Sequence, residues 1–570
     1  MSDVEIRDVG TRNLDTHGDV IHGVGIGRAT TVGPVLRMPE PVADPVDKPS
    51  TLRPEQELSR ASEALLVTAA QLRSRGEVAG GTAAEVLAAL AMMAEDPALA
   101  ADVRHRTEDG ATAEYAIHAA MTTFREMLAA LGGYLGERAA DLDDVARRAI
   151  AHLQGLPNPG VPKSATPFVL VARDLAPADT ATLDLDFVLA LVTTDGGPTS
   201  HTAILAREKG ITAVVGAAEA ASLVDGEIVL VDAENGTVER DPAQERIDLA
   251  LQRTATLEAI RAQSSGPGRL ADGHAVPLLA NIGSIDSARE AAARGAEGVG
   301  LFRTEVLFLG ADKAPSVEEQ AATYREVFEQ FPGQKVVVRV LDAGADKPLA
   351  FLTDAGEENP ALGRRGLRAL AAHEHVLRDQ LTALAIAAAD SDALVQVMAP
   401  MVSTPAEARY FRDLAHELGI AVAGVMVEVP SCAILADHVA LNADFMSVGT
   451  NDLTQYTLAA DRLLGTVAGF QNPWNPAVLR LIAAVGTAGA EHDVPVGICG
   501  EAAADPLLAV VLIGLGATSL SMSSSAIAEV RAELAQHTLD DARTLAALAV
   551  SAESAEAAHQ AVLDATTIRP

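Results

Sequence analysis

The sequence predicts a multidomain α/β protein: one α/β domain into which an all-helical domain is inserted, followed by a C-terminal (β/α)8 TIM barrel. Three observations lead there. The chain has 570 residues, and at roughly 150 residues per domain that length implies three or four domains. A long stretch of helical composition is flanked on both sides by short apolar runs of strand character. Beyond it, eight further apolar runs alternate with helical stretches over about 300 residues, the length such a barrel needs.

Taken in order, GVGIGRA at 23–29, FVLVA at 168–172, FVLALVT at 187–193, TAVVG at 212–216 and EIVLVD at 227–232 read as short buried strands, because they are continuous aliphatic runs bounded by turn residues. Between Glu55 and Leu156 the only proline is Pro97, and Ala, Leu, Glu and Arg dominate, as in packed helices. Strand signals on both sides place this helical block as an insertion into one α/β domain, with the Pro-rich stretches 39–54 and 157–167 as the crossings. AQERIDLALQRTATLEAIRAQ, 243–263, is helical by pattern and is broken at SSGPG, 264–268. The expected division is therefore an α/β domain over 1–34 and 156–242, an inserted helical domain over 35–155, a linker helix over 243–268 and a barrel over 269–570.

The eight barrel strands are expected at LLANI (278–282), GVGLF (298–302), VVVRVL (336–341), VQVMAP (395–400), GVMVEV (424–429), FMSVG (445–449), VPVGIC (494–499) and SLSMS (519–523). At or just after their carboxyl ends stand Asn281, Arg303 and Glu305, Arg339 and Asp342, Glu428, Asn451 and Asp452, Cys499 and Glu501, and Ser523. Barrel active sites are built at that rim. Arginines inside or capping apolar strands are costly unless partnered, so a bland reading as salt-bridged loop ends competes with a catalytic one.

Charge and composition narrow the function. The 43 Lys and Arg against 78 Asp and Glu give a net charge of −35, with 49% apolar residues, which describes a soluble acidic protein. Such an excess repels phosphate backbones, and 3% aromatics offer few stacking platforms, so nucleic-acid binding is not expected. Anionic membranes are disfavoured likewise. The longest uncharged run, Pro506–Ala528, is strongly apolar only from Leu507 to Ala517, too short to cross a bilayer, so no membrane insertion is expected. The first 20 residues are acidic and lack an apolar core, so no secretory leader is expected and the location read from the sequence is cytoplasmic. Cys432 and Cys499 are the only cysteines, which excludes a disulfide framework and a Cys-rich metal site.

Chemistry concentrates in two places. DGGPTSHTAILAREKG, 195–210, follows a strand and opens a helix, with Thr199, Ser200 and His201 in its first turn. Glycines allow close backbone approach, and a helix start favours an attached anion while disfavouring imidazolium, which suits a phosphoryl-carrying imidazole at His201. Alone, a histidine there is more often a hydrogen-bonded cap. In the barrel, Arg303, Arg339, Arg365 and Arg462 supply forked donors for a small anion bearing phosphate and carboxylate. Glu428 and Asp452 are hard oxygen ligands at the ends of neighbouring strands and fit one Mg²⁺ completed by substrate oxygens and water.

The 195–210 segment resembles the active-site signature of enzyme I of the bacterial phosphotransferase system and its phosphoenolpyruvate-using relatives, on the pattern GGxTSHxAIxAR. The resemblance continues through EDPAL (95–99), DLAPADTATLD (174–184), EGVGLFRTEVLFLG (297–310), EENPALGRR (357–365), VEVPSCA (427–433), VGTNDLTQYTLAADR (448–462) and GICGEAA (497–503). It implies that His201 accepts phosphate from phosphoenolpyruvate on a swivelling phosphohistidine domain, and that Arg303, Arg339, Arg365 and Arg462 bind that substrate with help from Asn451 and Asp452. It further implies that Glu428 and Asp452 bind magnesium, that Cys499 protonates the enolate to pyruvate, that the acceptor is the phosphocarrier protein HPr, docking on residues 35–155, and that the barrel forms a homodimer. One departure is Ala345 in AGADKP, 343–348, where relatives often have glycine, which leaves the role of Lys347 open.

Two other readings compete with this one. A dikinase-like phosphoenolpyruvate enzyme needs a nucleotide domain, for which the chain has neither spare length nor a GxxxxGK[ST] loop. A non-catalytic regulatory paralogue that only binds the carrier protein has no need of His201, Glu428, Asp452 and Cys499 together. The sugars served by such a pathway, HPr docking residues and regulation are not legible in the sequence.

Overall fold

Continuous aliphatic runs form most of the strands that were expected, because a strand buried on both faces has no polar side to alternate with. GVGIGRA, expected as a buried strand over 23–29, gives only Val24–Ile26 at the sheet edge with Val24 exposed, since its glycines leave little to bury. In the computed structural model, residues 19–567 are described, apart from 28, 40–41, 80, 132–138, 157–159, 163, 176–178, 180–182, 198–199, 201, 204, 207–209, 234, 309–312, 345–348, 350, 353–356, 358 and 462–464. The chain divides into two units, Met1–Thr256 and Leu257–Pro570.

The first unit holds an eight-stranded sheet of β1 (Val20–His22), β2 (Val24–Ile26), β3 (Thr30–Arg37), β4 (Phe168–Ala172), β5 (Val188–Thr193), β6 (Thr212–Val215), β7 (Ile228–Asp232) and β8 (Thr237–Arg240), in the order β1-β8-β7-β3-β4-β5-β6-β2. Its alternate residues feed two cores: Val169, Val171, Val192 and Val214 on one side, Phe168, Leu170, Ala172, Leu191, Ala213 and Val215 on the other. Strand β3 is not legible in the sequence, since Gly33 and Pro34 read as a turn. Pro34 ends the antiparallel register with β7, and the parallel register with β4 begins at Val35, so the proline sits where pairing changes partner.

The chain leaves this sheet after β3 and returns at β4, its parallel neighbour. Between them lie helices Pro54–Ala79, Gly81–Ala94, Pro97–Glu108, Ala113–Leu131 and Ala139–Gln154, packed around Leu72, Leu87, Leu90, Leu99, Ile117 and Val145. Asp96 caps the third of them, its side chain accepting from Ala98 and Leu99 N–H, and Pro97 takes the first helical position, where its missing N–H costs nothing. The insertion is fastened by a buried ion pair: Arg148 Nη2 donates to Asp179 Oδ1 at 2.9 Å, while Arg148 Nε donates to Asp144 at 2.7 Å. Burial opposes charge on Arg148, but Asp144 and Asp179 hold it more firmly protonated. Burial pushes the Asp179 carboxyl up despite Arg148, with Asp144 adding to the rise.

The second unit is a closed parallel barrel of β9 (Leu278–Ile282), β10 (Gly298–Arg303), β11 (Lys335–Arg339), β12 (Leu394–Ala399), β13 (Ala423–Val427), β14 (Met446–Gly449), β15 (Val496–Cys499) and β16 (Ser519–Met522). All eight expected runs are strands of it. Its outer core packs Phe302, Phe308, Tyr324, Phe328, Phe411, Leu508 and Val511 between strands and helices. Helix Gln244–Gln263 contains the boundary between the two units. No helix among the described residues is long and apolar enough to cross a membrane.

Removing Asp179 takes one of two carboxylates from a buried guanidinium and leaves it Asp144, so Asp179→Ala should lower the stability of the first unit, by at most about 3–5 kcal/mol. Asp179→Asn should cost less, because it keeps an oxygen to accept from Arg148. Denaturant unfolding of the three proteins checks this; equal stability of Asp179→Ala and the parent would show that the pair contributes nothing.

Candidate active site

Alternation along the barrel strands sorts side chains into inside and outside. Leu301, Val337, Met398, Met426, Phe445 and Cys499 form an apolar cluster separate from the outer core. Two residues on from Val337 and Met426, in the same phase, stand Arg339 and Glu428 at the carboxyl ends of their strands. Six charged groups meet at this rim, each no more than 5% exposed: Glu305, Arg339, Asp342, Arg365, Glu428 and Asp452.

Their contacts are specific. Arg339 Nη2 donates to Glu305 Oε1 at 2.9 Å, and its Nη1 lies 3.2 Å from Asp342 Oδ2 and 3.7 Å from Glu428 Oε1. Arg365 bridges two carboxylates: Nε and Nη2 donate to Asp342 at 3.1 and 3.0 Å, and Nη1 and Nη2 donate to Asp452 at 2.8 and 3.1 Å. Its Nη1 also donates to the Tyr456 hydroxyl at 3.2 Å. Glu428 Oε2 accepts from the N–H of Met401, a non-glycine residue at φ +58°, so the loop after β12 holds backbone strain at this contact.

Among the described residues, four carboxylates face two guanidiniums here. Burial alone would make both arginines easier to deprotonate, yet the surrounding carboxylates raise them instead, so both remain charged. Glu428 shows the same crowding of carboxylates from the other side. Burial, then the Asp452 and Asp342 carboxylates, push it up to about 7, against the pull of Arg339 and Arg365. An added cation would relieve that repulsion, and each carboxylate oxygen has a second lone pair for one. The donor set therefore fits a divalent metal completed by other oxygens. No group of three or more His, Cys, Asp or Glu side chains poised for a metal occurs among the described residues.

Cys499 ends β15 and is 1% exposed. Its thiol lies 3.1 Å from Ser447 Oγ and donates to the Val448 carbonyl at 3.5 Å. Burial pushes the thiol up to about 12, with Glu428 adding to the rise and Ser447, Arg339 and Arg303 opposing it. It is a neutral S–H at physiological pH, holding a proton beside the charged network.

The remaining expected residues are placed less centrally. Arg303 ends β10 and is exposed. Asn451 is the second residue of helix Thr450–Leu458, and its Oδ1 accepts from Glu501 N–H at 3.3 Å, tying that helix to the loop after β15. His201, Arg462 and Lys347 lie outside the described residues. Around position 201, Thr202 Oγ1 donates to Asp174 Oδ1 at 2.7 Å and Ser200 Oγ accepts from Ala203 N–H at 3.3 Å, so the segment after β5 is fastened to the segment after β4. Residues 202, 203, 205 and 206 are helical.

Glu305 and Asp342 belong to the network although sequence reasoning gave them no role beyond a place at the rim. Their position after β10 and β11 was a signal; their partners were not. Ser447, inside an expected strand, and Tyr456, inside the 448–462 motif, were given no role of their own.

Three family models match the chain: PEP-utilising enzyme, N-terminal, over residues 19–138; PEP-utilising enzyme, mobile domain, over 165–236; and PEP-utilising enzyme, PEP-binding domain, over 258–539. The phosphoenolpyruvate-protein phosphotransferase of Streptomyces coelicolor is 51% identical over 544 residues, covering 95% of this chain and 98% of that one. This chain belongs to the enzyme I family of phosphoenolpyruvate-protein phosphotransferases. The enzyme of the same name from Bacillus subtilis is 36% identical over 547 residues, covering 92% of this chain and 95% of that one. A solution structure of an Enzyme I protein is 32% identical, covering 42% of this chain and 99% of that one, with a TM-score of 0.39.

In this member of the enzyme I family both thiols are buried, and burial pushes Cys432 up to about 12 as well. Neither should react with iodoacetamide in the native protein at pH 8, and both should react once it is unfolded. Mass spectrometry counts the adducts; rapid native labelling of Cys499 would contradict its buried, neutral state.

Proposed function

We propose that the chain transfers the phosphoryl group of phosphoenolpyruvate to its own His201, releases pyruvate, and passes the phosphoryl group on to a histidine of HPr as the first step of sugar uptake. Membership of the enzyme I family establishes phosphoenolpyruvate-protein phosphotransferase as the activity. The observation that carries the finer reading is a proton-bearing Cys499 next to a buried cluster of two guanidiniums and four carboxylates at the mouth of a barrel.

Each residue has a role in this proposal. Arg303, Arg339, Arg365 and Arg462 bind the phosphate and carboxylate of phosphoenolpyruvate through forked donors, and Asn451 and Asp452 help to orient it. Arg339 and Arg365 stay charged at any working pH, so they stabilise charge on the substrate without proton loss. Glu428 and Asp452 would hold one Mg²⁺, supported by the repulsion that the Asp452 and Asp342 carboxylates exert on Glu428. When bound, that ion supplies positive charge to the oxygens of the transferring group. His201, neutral, attacks phosphorus in line as the bond between phosphorus and the enol oxygen breaks, and that oxygen stays on carbon as the enolate of pyruvate. Cys499 gives its proton to the methylene carbon of the enolate, forming pyruvate and leaving a thiolate.

Because His201 belongs to the first unit and the substrate residues to the second, the imidazole has to travel between substrate and acceptor. The division proposed for that cycle is a phosphohistidine domain over 1–34 and 156–242, an HPr-docking domain over 35–155, a linker over 243–268, and a barrel over 269–570 that also forms the homodimer. The net charge of −35 supports attraction to a carrier with a basic face, and the cycle is assigned to the cytoplasm.

Incubation with phosphoenolpyruvate and Mg²⁺ should give an acid-labile, alkali-stable phosphoprotein, absent in His201→Ala and absent when EDTA removes the metal. Full labelling of His201→Ala would move the acceptor elsewhere. Cys499→Ala should slow pyruvate formation by roughly a hundredfold or more, the usual weight of a positioned acid. Transfer from phosphoenzyme to HPr should be little changed, since that step protonates no carbon, and equal losses in both steps would reject the acid role.

A further inference from the structure

Once Cys499 has given up its proton, a thiolate remains among Leu301, Val337, Met398, Met426 and Phe445, with Glu428 near enough to disfavour it further. Such a group needs a proton source, and the apolar cluster contains none. Ser447 Oγ lies 3.1 Å from the sulfur, one residue before the carbonyl that the thiol itself contacts.

Below Ser447 the barrel interior changes character. A cavity bounded by Lys335, Ser447, Gly497, Ser519 and Ser521 reaches toward the amino-terminal ends of the strands, with about 20 Å³ open to the centre of a water molecule. That is room for one water, in a lining that offers hydroxyls to hold it. Gly497 keeps the passage open: a Cβ there would sit 3.2 Å from Ser519 Oγ and 3.7 Å from Ser447 Oγ, between the two hydroxyls. Ser521 Oγ donates onward to Asn281 Oδ1 at 2.6 Å. Lys335, the first residue of β11, is half-buried at the amino-terminal end of this cavity, and burial lowers its hold on its proton.

We propose that Ser447 is a positioning residue that reloads Cys499 with a proton drawn through the barrel interior, from the end opposite to the substrate. The step balances as follows: the Ser447 O–H bond breaks as the S–H bond forms, and the serine oxygen takes a proton from a water in the cavity. That water takes one from the Lys335 ammonium, which recovers its own from bulk water. Protons thus enter from one end of the barrel while substrate occupies the other. The proposal rests on the reading of Cys499 as the acid that protonates the enolate.

The test uses the full-length protein with Mg²⁺, phosphoenolpyruvate and pyruvate, and needs no carrier. Exchange of ¹⁴C between pyruvate and phosphoenolpyruvate measures the chemical step in both directions. Release of tritium from methyl-labelled pyruvate into water measures how often the proton taken up by Cys499 escapes to solvent. In Ser447→Ala, tritium release should fall roughly fivefold or more relative to carbon exchange, the loss expected when a proton is trapped and returned. Gly497→Ala should show the same split with the serine intact, because its methyl separates the hydroxyls. Ser447→Thr, which keeps the hydroxyl, should restore the ratio. If both processes fall together, or the ratio holds in both Ser447→Ala and Gly497→Ala while Cys499→Ala abolishes carbon exchange, the relay is overturned and the acid assignment stands. Carbon exchange that survives in Cys499→Ala overturns the acid assignment itself.

Discussion

The closed register of the barrel is the constraint on which the site depends. Arg339, Glu428 and Cys499 each end or follow a strand in the inward phase, two residues beyond Val337, two beyond Met426 and two beyond Gly497. Since side chains alternate with a period of two, a slip of one residue in any strand would turn its charged end residue outward and its apolar neighbours into the network. Ring closure forbids that slip, because every strand is paired on both sides. The barrel thereby fixes Arg339 and Glu428, around which the other four buried charges of the network gather.

What those charges gain from the arrangement is preorganisation. Two guanidiniums held by four carboxylates are fixed in place, so in their proposed role they need not swing to meet a substrate. The cost shows on Glu428, pushed up to about 7 because burial and two neighbouring carboxylates oppose its charge. A site whose carboxylates repel one another in this way is matched to a ligand set that brings positive charge. The apolar layer beneath keeps the Cys499 thiol neutral, the state that its proposed acid role requires.

The two units use the same material differently. In the first, a sheet buried on both faces carries the signature segment on a turn, and the Asp174–Thr202 hydrogen bond fastens that turn to the adjacent strand end. Arg148 and Asp179 fasten the inserted helices to the same region. For the proposed shuttling of His201, the Thr202–Asp174 hydrogen bond next to that position supplies a fixed point on the sheet.

Much of this was legible in the residues. Eight aliphatic runs with polar residues after them specify a barrel and its rim, because periodicity and strand ends are local properties, and Glu428, Cys499, Arg339 and Asp452 follow from them. The long His201 signature identifies its family for the same reason, being a contiguous pattern. Strand β3 was not legible, since Gly33 and Pro34 mimic a turn and only pairing with β4 and β7 makes them a strand. Nor were the partners of Arg365, which bridges Asp342 and Asp452 across 23 and 87 residues, or the approach of Ser447 to Cys499 across 52. Sequence by itself determined which residue types stand at the strand ends; folding decided which of them touch, because contact between distant positions is set by barrel closure, to which no single segment holds the key.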